Sequence, residues 1–244
     1  MTLAPPASTP KADSSDQRRS VREMFTAIAP RYDFLNHFLS LGIDRRWRRA
    51  AVDRLGWEAR PAGLYLDACA GTLDLAAELA RRRGFAGRVV GADFSARMLK
   101  LGAMKALPGP VRPAAADTLE LPFPDGRFDG AMVAFGVRNL TDLGAGLAEL
   151  ARVLRPGARL VVLEFTTPVW APFRALYHFY FRRLLPVIGR AVSGHPTAYS
   201  YLPASVSSFP APEQLLNHVR AAGFRDPGYS LLTGGVAALH WGTR

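Results

Sequence analysis

Three acids recur at the same kind of position along this chain. Asp67 closes the apolar run LYLD and is followed by Gly71 and Thr72; Asp93 closes RVVGAD, 26 residues further on; Asp117 follows the weaker run VRPAA. A carboxylate at a strand tip can accept hydrogen bonds from both hydroxyls of a ribose, a charged bidentate contact. A glycine just after the first strand lets backbone approach a ligand closely, while the next helix turns its N-terminus toward the same place. The carboxylate of Asp117, or the backbone beside it, can hold an adenine edge. Each acid alone is an ordinary turn or cap residue. At three successive tips, in this order, they point to a nucleoside-containing cofactor. A second pair has a different character. In FDGAMVAFGVRNLTD, residues 128–142, an apolar run stops at Gly136, and Arg138 and Asn139 follow directly. Ligands bind where strands end in open α/β sheets. A guanidinium never loses its charge, so Arg138 could steady an oxygen anion on an acceptor. Asn139 could orient that oxygen or cap the following helix. The competing reading pairs Arg138 with Asp142 and gives it a packing role only.

The identity of the cofactor is narrowed by what the first turn lacks. A nicotinamide fold shows G-x-G-x-x-G there, and a P-loop shows its own glycines and lysine. Here the turn reads DACAGTLD, with one glycine and no cradle for a diphosphate. Dinucleotides and ATP are disfavoured, and S-adenosylmethionine, which has no phosphates, fits best. Five histidines and one cysteine, Cys69, make a Cys/His zinc site improbable, and no metal is expected.

These residues need elements to hold them. Residues 1–19, rich in Pro, Ser and charge, read as a disordered lead-in. Residues 20–244 read as one domain, beginning with a helical section, residues 20–56, in which a second short helix runs from Tyr32 to Leu41. The strand-like runs at Leu64–Leu66, RVVGADF, Val111–Ala115, around Met132 and ARLVVLEF alternate with helical stretches. Ser95 is placed to cap one of those helices. Repeated units of this length imply a parallel sheet with helices on both faces. Residues 166–205 break the pattern as an aromatic and basic helical insert. Two last strands follow, with Gly234 and Gly235 between them to make a tight turn.

The bulk properties agree. The chain has 244 residues, 49% of them hydrophobic, and no apolar run long enough to cross a bilayer. The first residues contain no apolar signal segment, and the single cysteine fits a reducing compartment, so the cytoplasm is expected. The net charge of +11 suits an anionic partner: nucleic acid, an acidic membrane surface or a phosphate-bearing substrate. The cluster RRWRR, Arg45 to Arg49, reads as a solvated helix face.

From about Ser20 to Gly242 the chain resembles the quinone-biosynthesis C-methyltransferases, which methylate demethylmenaquinone or a ubiquinone precursor. The matching pieces are YDFLNHFLSLGIDRRWRR, AGTLDLA, LPFPDGRFDGAMVAFGVRNLTD, ARVLRPGARLVVLEF, YSYL and LLTGGVAALHWG. The resemblance implies a class I methyltransferase fold, Rossmann-like, with seven strands of which the last is antiparallel. It implies that Thr72, Asp93, Asp117 and Thr118 contact S-adenosylmethionine. Ala70 and Leu73 stand where that family's first turn carries glycines, and the branched side chain of Leu73 is expected to crowd the methionine moiety unless the turn shifts.

The acceptor implied is a lipophilic quinol, demethylmenaquinol becoming menaquinol. A ubiquinone precursor, another small lipophilic acceptor, or a non-catalytic place in a quinone-making assembly are the alternatives. Loss of a hydroxyl proton makes the ortho carbon electron-rich, and Arg138 would stabilise the phenolate. Asp142, His195, Tyr199 and Tyr201 are candidate general bases, which the sequence does not rank. In WAPFRALYHFYFRRLLPVIG, aromatic and basic residues at helical spacing suit the interface of an anionic membrane or a tail-lined groove, or else a lid on the sheet. No nucleic-acid module is visible, which leaves RNA methylation a distant reading. The oligomeric state is not legible.

Overall fold

The computed structural model describes residues 19, 22–27, 29, 40, 42–105, 109–180, 183 and 198–244, with the side chains of residues 198–200, 202 and 203 outside that description. Most of the lead-in and the expected helix at Tyr32–Leu41 lie outside the described residues. Residues 22–27 are helical.

Seven strands form one sheet in the order β3-β2-β1-β4-β5-β7-β6. They are β1 (Leu64–Ala68), β2 (Arg88–Asp93), β3 (Val111–Ala115), β4 (Phe128–Ala134), β5 (Leu154–Phe165), β6 (Arg225–Leu232) and β7 (Ala237–Thr243). The first five pair in parallel, and β7 runs antiparallel to both β5 and β6. This is the class I methyltransferase sheet expected from the sequence. β5 begins four residues before ARLVVLEF, because Leu154 already pairs with Phe128 on β4. Its central stretch is apolar nearly without a break, which fits a strand covered on both faces.

The helices used below are α1 (Asp44–Leu55), α2 (Asp74–Ala80), α3 (Ala96–Ala103), α4 (Leu143–Val153), α5 (Ala171–Phe179), α6 (Ala198–Ser208) and α7 (Pro212–Ala221). Ser95 caps α3 as its spacing predicts, accepting from the Met98 amide. Asp142, not Asn139, caps α4, accepting from the Ala145 amide at 2.9 Å. One buried cluster packs α1 and α2 against one face of the sheet, through residues such as Trp47, Val52, Leu75 and Met132. Another packs α4 and α7 against the opposite face, through Leu147, Leu150 and Leu215. Fully burying such a leucine is worth about 1.5–3 kcal/mol, so both layers hold the strand tips in place.

Register does the rest. Ala68 pairs with Ala92 on one side and with Val133 on the other, so the ends of β1, β2 and β4 are level. Strand order reverses between β1 and β4, and the crevice outside the carboxyl ends at such a switch point is where α/β sheets bind ligands.

Candidate active site

The chain leaves β1 through residues 69–73, and Cys69, Gly71 and Leu73 all have left-handed backbone, with φ of 52°, 52° and 67°. Glycine adopts that conformation freely, whereas it costs cysteine and leucine roughly 1–2 kcal/mol each. Several contacts hold the turn. The Ala70 amide donates to the Ala92 carbonyl at 3.0 Å, and the Gly71 amide donates to Asp93 Oδ2 at 2.8 Å. Leu73 is wholly buried, and its Cδ2 lies only 2.2 Å from where a Cβ on Gly91 would stand. The crowding expected at Leu73 therefore does not arise: the side chain turns down into the core over Gly91, away from the crevice. On the other side Gly136 closes against Cys69, with 2.3 Å between an added Cβ and the cysteine Cβ. β4 thus exits hard against the turn.

Above the turn is a cleft lined among others by Gly71, Asp93, Asp117, Thr118 and Asn139. Five of the eight residues singled out in the sequence thus face one space. Phe25, Phe94 and Phe135 supply apolar wall. Asp93 accepts from the Ser95 amide on Oδ1 and from the Gly71 amide on Oδ2, both at 2.8 Å, and each oxygen keeps a second lone pair. Burial pushes its carboxyl up to about 6, against the pull of those two amides. Asp117 accepts from the Leu119 amide at 2.9 Å. Thr118 Oγ1 lies 3.3 Å from Cys69 Sγ, and burial pushes that thiol up to about 12, which rules it out as a nucleophile at neutral pH. Acceptors for hydroxyls at the tip of β2, a polar corner after β3 and aromatic walls fit an adenosyl group. No group of metal ligands exists among the described residues.

Asp67 and Thr72 do not line the cleft. Asp67 is 1% exposed, and its Oδ2 accepts from the Ala76 amide at 2.9 Å, so it anchors the first turn of α2. Burial, before any neighbour, pushes it up to about 7. Thr72 is buried, and its carbonyl accepts from Lys105 Nζ at 3.1 Å.

Arg138 lies at the tip of β4 beside the end of β5. Its Nη1 donates to Glu164 Oε1 at 2.7 Å, with 5% and 1% of the two side chains exposed. Nη1 also donates to the Phe135 carbonyl, and Glu164 accepts from the Phe165 amide at 2.9 Å. The partner is Glu164 and not Asp142, which is occupied as a helix cap. Burial raises the Glu164 carboxyl, and the charge of Arg138 is the largest influence opposing it. The Arg138 Nε makes no hydrogen bond among the described residues. Asn139 Oδ1 accepts from the Tyr201 hydroxyl at 3.0 Å. Burial raises the phenols of both Tyr177 and Tyr201, and the charge of Arg138 offsets part of that rise in each. Arg138, Asn139, Tyr177 and Tyr201 therefore share one neighbourhood, joined to the cleft through Asn139. His195 and the side chain of Tyr199 lie outside the described residues.

Two largely buried charges escaped the sequence reading. Glu164 is the lone acid in an apolar strand, a signal that was visible in ARLVVLEF. Arg48 was grouped with its solvated neighbours. Arg45, Arg46 and Arg49 are exposed, but only 11% of the Arg48 side chain is.

Comparison with known proteins agrees with this architecture. The family model described as the ubiE/COQ5 methyltransferase family matches residues 11–244. A demethylmenaquinone methyltransferase of Thermus thermophilus is 52% identical over 91% of this chain and 100% of its own length. A demethylmenaquinone methyltransferase of Deinococcus radiodurans is 47% identical over 96% of this chain and 97% of its own. A ubiquinone/menaquinone biosynthesis C-methyltransferase of Geobacter sp. is 44% identical over 94% and 98%. Among solved structures, a SAM-dependent methyltransferase of Thermotoga maritima superposes with a TM-score of 0.62 at 19% identity, covering 91% of this chain and 98% of that one. The S-adenosylmethionine complex of a Haemonchus contortus phosphoethanolamine N-methyltransferase gives 0.58 at 14% identity, covering 81% and 52%. The two structures speak to fold alone.

Proposed function

The chain belongs to the ubiE/COQ5 methyltransferase family, and on that premise we propose that it methylates a ring carbon of demethylmenaquinol, giving menaquinol. The observation that carries the reading is a cleft at the β1/β4 switch point with Asp93 and Asp117 on one side and Asn139, next to the buried Arg138, on the other. The higher identities to relatives named for demethylmenaquinone favour a naphthoquinol over a benzoquinol precursor. The non-catalytic reading rested on Ala70 and Leu73 in the cofactor turn; Leu73 is buried in the core, and neither side chain lines the cleft.

S-adenosylmethionine supplies a methyl group on a sulfonium and departs as S-adenosylhomocysteine. Asp93 would accept its ribose hydroxyls, Asp117 and Thr118 would hold its adenine side, and the Gly71 backbone would let it lie close to the turn. Arg138 stabilises the ring phenolate with the donors that Glu164 leaves unused; in a water-poor pocket a fixed charge is worth far more than in solvent. Asn139, oriented by the Tyr201 hydroxyl, presents its amide to the same ring. Methyl transfer would exchange the carbon–sulfur bond for a carbon–carbon bond; the methylated ring carbon would then give up its proton, restoring the phenolate beside Arg138, and reprotonation of that oxygen would complete the quinol. Positioning donor and acceptor supplies much of the rate.

The acceptor's tail needs an apolar path. On α5 and just before it, Val169, Trp170, Leu176 and Phe179 are 56–70% exposed, with Arg174 exposed among them. No helix among the described residues is long and apolar enough to cross a membrane. We place the protein in the cytoplasm, docked through this face on the anionic inner leaflet. Labelled cofactor with reduced short-tail demethylmenaquinone, followed by mass spectrometry, tests the activity; a product without a new ring methyl overturns it.

A further inference from the structure

We propose that Arg48 binds the carboxylate of the cofactor's methionine end. Arg48 sits on α1, with 11% of its side chain exposed, and its guanidinium lies over the ring of Phe135 at 5.6 Å. Phe135 is wall of the cofactor cleft and the last residue before Gly136, which closes against the β1 turn. The charge of Arg48 is also felt at Asp67, at the tip of β1. Arg48 therefore stands at the β1/β4 end of the cleft, opposite the Asp117 end where the adenine belongs.

What makes this arginine unusual is what it lacks. A guanidinium carries five N–H donors in a planar fork, yet Arg48 makes no hydrogen bond among the described residues, and its buried Nε is without an acceptor. Its anionic neighbour is Asp44, one helical turn back, at 3.5 Å, and Asp44 also accepts from the Ser40 hydroxyl at 2.8 Å. Leaving charged donors dry and unused is costly. A planar fork of this kind matches a carboxylate with two parallel hydrogen bonds.

The cofactor presents that group in the right place. Its ribose belongs at Asp93, its adenine beyond, and its amino-acid end must run the other way, over Gly71 toward β4. Among the described residues, the charged ones lining the cleft, Asp93 and Asp117, are both acidic and would repel the carboxylate. Arg48 is the cation that the methionine end meets at that edge. The assignment rests on the cofactor reading, and the test separates the two.

Calorimetric titration of the full chain with three ligands reads the contact without turnover: S-adenosylhomocysteine, its decarboxylated analogue, and methylthioadenosine, which lacks the whole amino-acid end. The wild-type protein is expected to bind S-adenosylhomocysteine at least about tenfold more tightly than the decarboxylated analogue. Arg48→Gln is expected to erase that difference and leave methylthioadenosine binding as it was. Arg48→Lys keeps the charge but loses the fork, and is expected to fall between the two. Equal wild-type affinity for the two larger ligands overturns the assignment, and this arm needs no variant to fold. So does an Arg48→Gln that weakens all three ligands alike, or none. If the wild type binds no adenosyl compound, the cofactor reading falls and the assignment with it.

Discussion

The guanidinium of Arg138 and the carboxylate of Glu164 meet at 2.7 Å across the tips of two adjacent strands, both almost sealed from solvent. Removing one partner of a buried pair typically costs about 3–5 kcal/mol, because the other charge is stranded. Glu164→Ala is therefore expected to lower the urea midpoint steeply. Glu164→Gln keeps the shape and an acceptor oxygen, so it should fold, while freeing Arg138 to swing. We expect its kcat to fall by about 10- to 100-fold, with cofactor affinity by calorimetry unchanged. A Glu164→Gln enzyme at full turnover would show that Arg138 needs no such anchor.

If Asp93 holds the ribose as proposed, it is expected to set the pH dependence of cofactor binding. With its carboxyl raised to about 6 by burial, it is protonated at acid pH and a poorer acceptor for hydroxyls. Affinity for S-adenosylhomocysteine is expected to rise by roughly tenfold between about pH 5 and pH 7.5 and to stay level above. Asp93→Asn should bind weakly with a flat profile. Titration at several pH values checks both.

Stability without ligand should run the opposite way. Asp67 and Asp93 are both raised above their unfolded values, to about 7 and about 6. Their protons favour the folded state, so this contribution is whole below about pH 4 and is lost as pH rises through 6 and 7. Between pH 5 and pH 8, thermal unfolding of Asp67→Asn is expected to show a clearly smaller decline than that of the wild type.

Leu73 and Gly91 are coupled by space. Restoring the family's glycine with Leu73→Gly relieves about 1 kcal/mol of left-handed strain but deletes a fully buried side chain, worth about 2–5 kcal/mol. The variant is expected to be less stable, with cofactor affinity no better. Gly91→Ala should also destabilise, because its methyl would meet Leu73. Adding Gly91→Ala to Leu73→Ala should cost much less than Gly91→Ala alone, and a denaturation cycle measures that difference.

Tyr201→Phe removes the hydroxyl that orients Asn139. A neutral hydrogen bond of this kind contributes about 0.5–1.5 kcal/mol, so a KM for the quinol raised several-fold is expected, with S-adenosylhomocysteine affinity unmoved. On the apolar face, Trp170→Ser with Phe179→Ser should cut co-sedimentation with anionic vesicles while leaving turnover of a short-tail acceptor in solution near wild type. Vesicle binding that survives both changes would locate the membrane contact elsewhere.

The sheet and the cleft were largely legible because strand tips advertise themselves: an apolar run, an acid, a glycine. That is why Asp93, Asp117 and Gly71 emerged together. Asp67 carried the same signature, yet its carboxylate faces the helix amide of Ala76, since nothing in a one-dimensional pattern says which side of the tip a side chain takes. Arg138 was visible but its partner was not: Glu164 lies 26 residues away, brought alongside by β4–β5 pairing. Leu73 misled for a related reason, as the room it occupies is made by a missing side chain on a different strand. Arg48 was lost among three neighbours of identical type, and only burial tells it from them.

The indole of Trp47 donates to the hydroxyl of Thr233 at 2.9 Å across 186 residues, at the left-handed turn Thr233–Gly235 between β6 and β7. The same turn packs on Phe173 and Val169, and Trp47 packs on Phe135 and Phe165. The aromatic wall that Phe135 gives the cleft is thus latched by a turn far along the chain. The strands β1 to β5 can pair before that latch engages, because it needs the β6–β7 turn in place. Until then the aromatic wall stays open, and chaperones would find their grip there.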